Sequence, residues 1–399
     1  KAIRIIMRIR EIVSCIDYVG VNDRTTQKFE ALWPLPQGVS YNSYIVRGSK
    51  CTAMIDAVEI SQCEHLLKNM NGAQPDYLVI NHMEPDHSGA IPVLRKYFPQ
   101  MTIVGNIKTL YMVKNYYGIE DNVLKIADGE ELDLGGLTLR FYLTPMIHWP
   151  ETMMTYVPER KLLFTGDAFG CFGALNGAVT DSDIDISPYI PEMYRYYSNI
   201  VGKYGTFVQK AINKLNCIEA NYLCPTHGPV WHENLRYISS IYNRLSKYEA
   251  EPGVVIVYGS MYGNTEDMAE LIAYQLVQEG VRNIRIHNAS YTDLSYILSD
   301  IFKYNGLIIG APTYSNGLYP PVEAVLNAIK VRELKNRYVG AFGSFTWAPQ
   351  SLKRIKTILQ EMSLCTEDIP TAETKCGVSD TAKVQCISLA KEIAAKVLS

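Results

Sequence analysis

The chain has 399 residues, enough for two or three domains at roughly 100–200 residues each. Hydrophobic residues make up 47% and charged residues 20%, which excludes a disordered polymer, a collagen-like repeat and a charged coiled coil. The formal net charge of -3 gives no reason to expect a nucleic-acid partner. Apolar runs fall short of the roughly 18 residues that span a membrane, and residues 1–10 lack the features of a secretory signal. We therefore expect a cytoplasmic protein without a membrane partner.

The 9 cysteines do not form a recognisable framework. The spacing C-x-x-C is absent, which argues against zinc ribbons, rubredoxin-type iron sites and most iron–sulfur clusters. We expect free thiols in a reducing compartment.

The first 250 residues alternate short strands with helices. Residues 137–143 alternate apolar and polar side chains with period two, which is typical of a half-buried strand. Strands are predicted over residues 43–47, 52–56, 77–80 and 137–143, and helices over 63–70 and 92–98. Residues 246–253 are charged and end in Pro-Gly. We interpret this segment as a linker between domains that span residues 1–250 and 251–399.

The second part of the chain alternates strand and helix regularly. Strands are predicted over residues 254–258, 283–287, 307–310 and 338–342, and helices over 266–279, 293–303 and 321–330. A βα repeat over about 150 residues indicates a doubly wound parallel sheet.

Seven potential metal ligands stand at or near the ends of predicted strands in the first domain. Four of them lie within the six positions 82–87. Alternate residues of an extended loop point the same way, so His82 and Glu84 can reach one ion while Asp86 and His87 turn toward a second. Without a metal these buried charges would be costly, although His87 could instead form a hydrogen bond behind the ligands. The predicted metal ligands are His82, Glu84, Asp86, His87, His148, Asp167 and His227.

The H-x-E-x-D-H element at residues 82–87 resembles the metallo-β-lactamase fold in its flavodiiron form. Hydrolases of that fold carry H-x-H-x-D-H and bind zinc. Glu84 stands where they have the second histidine, and a carboxylate there suits iron better than zinc. Further similarity lies in residues 32–36, 40–42, 148–150 and 166–170.

The resemblance implies an N-terminal metallo-β-lactamase-like αβ/βα sandwich and a C-terminal flavodoxin-like domain. It further implies one iron held by His82, Glu84 and His148, and another held by Asp86, His87 and His227, with Asp167 bridging. A zinc-dependent hydrolase fused to a flavodoxin is the alternative, and Glu84 speaks against it. A redox-sensing protein without turnover also remains open.

Three polar loops follow strands of the second domain. The first has no Lys or Arg and lacks G-x-x-x-x-G-K-[ST], and G-x-G-x-x-G is absent, so a triphosphate or Rossmann dinucleotide site is not indicated. Small residues at a strand-to-helix turn can instead cradle one phosphate, and aromatic residues can cover a flat ring. The arrangement resembles the FMN site of flavodoxin. The predicted FMN contacts are Ser260, Met261, Tyr262, Gly263, Asn264, Thr265, Pro312, Thr313, Tyr314, Ser315, Asn316, Gly317, Ser344, Phe345, Thr346, Trp347 and Ala348.

The family resemblance implies that electrons enter at FMN, pass to the irons and reduce O2 to water or NO to nitrous oxide. The donor would be a separate partner such as rubredoxin or a reduced deazaflavin. A head-to-tail homodimer or a dimer of dimers would bring FMN of one subunit to the irons of the other, with Trp347 near the interface. Trp149 and either Tyr196 or Tyr197 are candidates for lining the iron pocket. The choice between O2 and NO stays open.

Overall fold

The computed structural model describes residues 10–362, 364 and 368–399. Within the described residues, one compact unit comprises residues 10–196 together with Thr206–Asn243, and a second comprises Tyr197–Gly205 together with the described part of Arg244–Ser399. The domain boundary at residue 250 stays a prediction. The eight cysteines in the described ranges are free thiols, and Cys365 lies outside those ranges.

The strands of the N-terminal unit form two main sheets and two short ribbons within the described residues. The strands are β1 (Arg10–Val13), β2 (Ile16–Tyr18), β3 (Val21–Asp23), β4 (Lys28–Phe29), β5 (Trp33–Pro34), β6 (Val39–Tyr41), β7 (Tyr44–Arg47), β8 (Thr52–Ile55), β9 (Tyr77–Val79), β10 (Thr102–Gly105), β11 (Val123–Lys125), β12 (Glu131–Asp133), β13 (Thr138–Leu143), β14 (Met153–Val157), β15 (Leu162–Gly166) and β16 (Tyr222–Pro225). One sheet has the order β1-β2-β7-β8-β9-β10-β11 and the other the order β12-β13-β14-β15-β16, while β3 pairs with β6 and β4 with β5.

Helices accompany these sheets. They are α1 (Cys63–Asn69), α2 (Pro85–Ser88), α3 (Ile91–Tyr97), α4 (Ile107–Tyr117), α5 (Tyr189–Tyr196), α6 (Gly205–Leu215) and α7 (Leu235–Ser246). Shorter helical turns cover Ile60–Gln62 and Pro158–Arg160 in this unit, and Tyr197–Val201 and Gly202–Tyr204 in the segment that belongs to the second unit. Local sequence sets the ends of α4, because the Asn106 side chain accepts two N–H groups at its start and Gly118 adopts a left-handed φ of 68° at its end.

The core of this unit lies between its two sheets. Every residue of β14 and β15 is buried, as expected for central strands covered on both faces. The rings of Tyr44 in one sheet and Phe164 in the other lie 5.0 Å apart. The predicted strands near 43–47 and 52–56 form an antiparallel pair, and the strands near 77–80 and 137–143 and the helices near 63–70 and 92–98 are also present.

The predicted extended loop after β9 is only partly correct. The chain is extended at Glu84, but a helical turn, α2, begins at Pro85. Proline is favoured at the first helical position because it has no N–H to leave unpaired and its φ is already helical. The turn changes the direction of the side chains that follow Glu84.

The C-terminal unit contains a parallel sheet with helices between its strands. Its strands are β17 (Glu251–Tyr258), β18 (Ile284–Asn288), β19 (Tyr304–Tyr314), β20 (Gly317–Leu318), β21 (Tyr338–Phe345) and β22 (Thr371–Lys375). Its helices are α8 (Asn264–Gln278), α9 (Leu294–Lys303), α10 (Pro320–Val331), α11 (Ser351–Glu361) and α12 (Asp380–Leu398). The order β18-β17-β19-β21-β22, with β20 as a hairpin strand on β19, confirms the predicted doubly wound sheet.

The helices α8 and α12 pack on β17 in the core of this unit. Ile256, Met268, Ile272 and Ile393 belong to one buried cluster and are 0% exposed. This packing explains the helical spacing of apolar residues in the sequence.

The predicted linker over residues 246–253 is too long. Helix α7 continues to Ser246 and β17 already begins at Glu251. A register shift between Glu251 and Val254 accommodates Pro252, which has no N–H to pair. The connection is therefore residues 247–250. In the described part of the chain, helices long and apolar enough to cross a bilayer are absent. The cytoplasmic location stays a prediction.

Candidate metal centre

The seven predicted ligands converge in the N-terminal unit as two groups. In each group the potential ligand atoms lie within 4.8 Å of one another. The first group is His82, Glu84, His148 and Asp167, and the second is Asp86, His87 and His227. Loops after β9, β13, β15 and β16 carry all seven residues, so one end of the rigid sandwich presents the site.

Asp167 stands between the two groups. Its Oδ2 lies 3.1 Å from His148 Nε2 and 3.5 Å from His82 Nε2. Its Oδ1 lies 3.0 Å from His87 Nε2 and 3.9 Å from His227 Nε2. One carboxylate oxygen therefore faces each group, which is the geometry that a bridging ligand requires.

The first group is buried and contains two carboxylates. Glu84 Oε2 lies 3.2 Å from His82 Nε2 and 3.1 Å from His148 Nε2. Burial works against charge on His82, but the carboxylates of Asp167 and Glu151 outweigh it and hold the pKa of His82 well above its ordinary value. The pocket therefore attracts positive charge.

The second group leaves buried polar atoms without hydrogen bonds. Asp86 Oδ2 lies 3.2 Å from both His87 Nε2 and His227 Nε2. Among the described residues, neither oxygen of Asp86 has a hydrogen-bond partner, and neither has the Nε2 atom of His87 or of His227. Such orphaned atoms are costly in a protein interior. A cation at their centre would satisfy them, so the residues fit a metal ion.

Contacts behind the histidines orient two of them. His227 Nδ1 lies 2.7 Å from the carbonyl oxygen of Ser40, and His82 Nδ1 lies 2.9 Å from Glu151 Oε1. A carbonyl or carboxylate can only accept, so both Nδ1 atoms carry a proton. In the neutral ring that a metal ion requires, the Nε2 lone pair is then the one that faces the site. Asp56 holds the start of the ligand loop by accepting the backbone N–H of Asn81 at 2.7 Å.

Two carboxylates near the first group were missed in the sequence. One is Glu151, which directly follows residues 148–150 (His-Trp-Pro). The other is Glu30, whose Oε2 accepts a hydrogen bond from Trp33 Nε1 at 3.0 Å. Although Glu30 as a whole is exposed, burial of its carboxyl group and the nearby Glu84 carboxylate raise its pKa to about 7. The available signal was that Glu30 stands two positions before residues 32–36, but the sequence did not show which way the Glu30 side chain points.

Aromatic rings lie beside two of the ligand histidines. The Trp149 ring lies 5.3 Å from the His82 ring, and the Tyr196 ring lies 5.5 Å from that of His227. The Tyr196 hydroxyl is buried without a hydrogen-bond partner in the described structure. Tyr197 belongs to the other compact unit. Of the two tyrosine candidates, Tyr196 is the one beside the metal ligands.

A cleft at the carboxyl ends of the strands in the C-terminal unit brings the three polar loops together. It is lined by Ser260, Met261, Tyr262, Asn264, Thr265, Pro312, Thr313, Ser344, Phe345, Thr346 and Cys376. Gly263 adopts a φ of 97° just before α8, and its N–H donates to Ser260 Oγ at 3.1 Å. The hydroxyls of Thr265 and Ser344 lie 2.8 Å apart. These features form an anion cradle at the start of a 15-residue helix.

Seven of the predicted FMN contacts do not line this cleft. They are Gly263, Tyr314, Ser315, Asn316, Gly317, Trp347 and Ala348. Ser315 and Asn316 have positive φ and form the turn between β19 and β20, while Trp347 is 82% exposed. Their contacts with a cofactor stay predictions. Cys376 was missed because only the strand order places the end of β22 beside this cleft.

Comparison with known proteins agrees with the two units. The model of the ODP family beta lactamase matches residues 39–228, and that of flavodoxin matches residues 256–372. The anaerobic nitric oxide reductase flavorubredoxin of Escherichia coli O1:K1 / APEC is 30% identical over 363 residues, which cover 88% of this chain and 75% of the relative.

Two solved structures resemble the whole chain. Rubredoxin oxygen:oxidoreductase from Desulfovibrio gigas has a TM-score of 0.92 and 29% identity, covering 98% of this chain and 99% of the other. The flavodiiron protein from Giardia intestinalis has a TM-score of 0.93 and 26% identity, covering 98% and 97%. These matches confirm the predicted resemblance and fold. The chain belongs to the flavodiiron protein family.

Proposed function

We propose that this chain is an oxidoreductase that reduces NO to nitrous oxide, O2 to water, or both, at a diiron centre with electrons delivered through FMN. The position of Asp167 carries this proposal, because its two oxygens face two separate groups of ligand atoms. The similar Escherichia coli protein is a nitric oxide reductase, and the Desulfovibrio gigas protein is a rubredoxin oxygen:oxidoreductase. Both names support the same reaction class.

Each iron position is assigned to one group of ligands. His82, Glu84 and His148 would hold one iron, Asp86, His87 and His227 would hold the other, and Asp167 would bridge them. Imidazoles mixed with three carboxylates form a hard, anionic donor set that suits iron. Iron would supply the change of valence and the open coordination position that reduction of a diatomic gas needs.

The surrounding residues control water and protons. Two NO, two electrons and two protons give nitrous oxide and one water, whereas O2 consumes four electrons and four protons to give two waters. The Trp149 ring lies against His82 and the Tyr196 ring against His227, and these rings would keep bulk water away from the ligands. The buried Tyr196 hydroxyl has no hydrogen-bond partner among the described residues, so its proton would be free to form a hydrogen bond with a bound substrate.

Tyr196→Phe should therefore lower turnover without changing metal content. Loss of one preorganised hydrogen-bond donor costs roughly 100-fold in kcat where the donor stabilises developing charge. The adjacent Tyr197→Phe is the matched control, since Tyr197 lies in the other unit. The turnover rates of both variants are measured as steady-state consumption of NO and of O2. Equal rates for Tyr196→Phe and the unaltered protein would remove the hydroxyl from the reaction.

FMN is assigned to the cleft of the C-terminal unit. Ser260, Thr265 and the first N–H groups of α8 would hold the phosphate, because a helix N-terminus favours an anion. Phe345, which lines the cleft, and the exposed rings of Tyr314 and Trp347 would cover the flavin ring.

Thr265→Val should weaken FMN binding. The substitution keeps the shape but removes a buried hydroxyl, and a hydrogen bond to a charged phosphate contributes about 1.5–3 kcal/mol. We expect an increase of roughly 10–100-fold in the Kd for FMN, measured by fluorescence titration of the FMN-free chain. Thr357→Val, an exposed position on α11, is the control. An unchanged Kd for Thr265→Val would exclude Thr265 from the phosphate site.

Electrons would reach FMN from a separate protein or cofactor. Rubredoxin is the first choice because the Desulfovibrio gigas relative is named for it, and a reduced deazaflavin is the alternative. Comparison of the two as reductants of FMN in this chain distinguishes them.

A head-to-tail homodimer, or a dimer of dimers, would bring FMN of one subunit to the irons of the other. Exposed aromatic and apolar side chains in both units support such an interface. In the C-terminal unit, Tyr262 and Trp347 are 90% and 82% exposed. In the N-terminal unit, Ile107 and Tyr111 on α4 are 65% and 68% exposed. Lys108 Nζ on the same helix donates to the carbonyl oxygen of Pro150, next to the metal ligands.

Mixed dimers of two inactive variants should regain part of the activity. One variant carries His82→Ala and His148→Ala and lacks iron, and the other carries Ser260→Glu and Thr265→Glu and repels the FMN phosphate. Reassembly then pairs one intact FMN site with one intact iron site. Mixed dimers that form by mass measurement yet remain inactive would contradict electron transfer between subunits.

Quantification of metals and flavin, together with turnover, tests the proposed function. Purified protein should hold two irons and one FMN per chain and consume NO or O2 with reduced rubredoxin. Zinc alone in protein that is active as a hydrolase would overturn the proposal in favour of the zinc-dependent alternative. Bound iron and FMN without gas consumption would overturn the reductase assignment in favour of a sensor.

A further inference from the structure

Glu151 stands directly behind one of the metal ligands. Its Oε1 lies 2.9 Å from His82 Nδ1 and also accepts the backbone N–H of Met83 at 2.9 Å. The side chains of Glu151 and His82 are both 0% exposed. The Asn106 amide donates to the Glu151 carbonyl oxygen at 2.6 Å, so the backbone that carries the carboxylate is held as well.

The corresponding contacts in the second group are neutral. His227 Nδ1 donates to a backbone carbonyl, that of Ser40. His87 Nδ1 is buried and has no hydrogen-bond partner within the described residues. Glu151 therefore adds a full negative charge behind the first group, whereas the contacts behind these two histidines add none.

This difference acts on metal affinity. A carboxylate that accepts the Nδ1 proton of an imidazole fixes the ring orientation and makes Nε2 a stronger donor. The added charge also attracts a cation through a dry interior, where charges are poorly screened. Both effects act most strongly on the position that contains His82, because Glu151 contacts that ring directly.

We propose that Glu151 is a positioning residue for His82 that makes the two metal positions unequal. The position formed by His82, Glu84 and His148 then binds its ion more tightly and fills before the position formed by Asp86, His87 and His227. This inference rests on the proposed diiron centre. It concerns the order of metal binding, which is measurable without any turnover.

Anaerobic titration of the metal-free, full-length chain with Co²⁺ tests the inference, with the visible absorption of bound Co²⁺ as the readout. Two site-isolated backgrounds separate the positions. Asp86→Ala with His227→Ala retains the first position, and Glu84→Ala with His148→Ala retains the second. The first background should bind Co²⁺ more tightly than the second, and the reverse order would overturn the proposal even before Glu151 is changed.

Glu151→Gln is then placed in both backgrounds. Glutamine can still accept the same N–H groups, so the change removes mainly the charge. In the first background the Kd for Co²⁺ should rise roughly 10–100-fold and the absorption bands should shift, while the second background should be unaffected. Glu219→Gln, the same change at an exposed residue of the same unit, is the control.

The outcomes separate this inference from the diiron centre itself. Equal weakening of both backgrounds by Glu151→Gln would indicate a general structural role and contradict the proposal, as would no weakening in either. If the unaltered chain binds fewer than two Co²⁺ ions, the diiron centre fails and this inference fails with it. Two bound ions with no effect of Glu151→Gln reject only the inference.

Discussion

Glu84→His should abolish NO and O2 reduction and exchange the bound iron for zinc. Glu84 Oε2 lies within 3.2 Å of the Nε2 atoms of both His82 and His148, so its carboxylate faces the same point as these two histidines. An imidazole at this position produces a softer, less anionic donor set that favours zinc. Zinc cannot change valence, and turnover should fall to background even where the metal position is filled.

The measurement is metal content and gas consumption of the same purified sample. Glu64→His, the same change at an exposed residue of α1, should retain iron and activity. The far-ultraviolet circular dichroism of Glu84→His should match that of the unaltered protein, because the sandwich does not depend on this residue for its packing. Unchanged iron content and turnover in Glu84→His would contradict the role assigned to the carboxylate.

Arg337→Met should destabilise the C-terminal unit by about 3 kcal/mol or more, since each buried carbonyl left unpaired costs about 1–3 kcal/mol. The guanidinium is buried and donates to backbone carbonyls at 2.9–3.0 Å. The acceptors are Tyr248, Ile301, Phe302, Lys335 and Asn336. A thioether cannot replace any of these bonds, so the connection after α7 and the end of α9 both lose their anchor.

Urea unfolding followed by flavin fluorescence measures this loss. Arg337→Lys should be intermediate, because one ammonium group has three donors and cannot reach all five carbonyls. Arg282→Met, at an exposed position of the same unit, is the control and should change the free energy of unfolding little. An unfolding free energy for Arg337→Met equal to that of the control would show that water replaces the lost bonds.

The sequence predicted the elements whose signals are local. The seven potential ligands stand near strand ends in a spaced motif, and the βα alternation after residue 250 has a clear period, so both could be predicted. Contacts between residues that are far apart in the sequence could not be predicted. Glu151 and Glu30 act through the direction of a side chain, and Arg337 acts through carbonyls up to 89 positions away. The linker was predicted too long because Pro252 was taken as a breaker, although a register shift accommodates it in β17.

Anoxic addition of NO to the fully reduced protein tests the central claim most directly. The reduced FMN should be oxidised, which is seen as recovery of the flavin absorbance, with one nitrous oxide formed for every two electrons that the protein loses. The same addition to Glu84→His should leave the flavin reduced. O2 in place of NO tests the second substrate, with water as the product. Flavin reoxidation that proceeds at the same rate in Glu84→His and in the unaltered protein would contradict electron transfer from FMN to the metal centre.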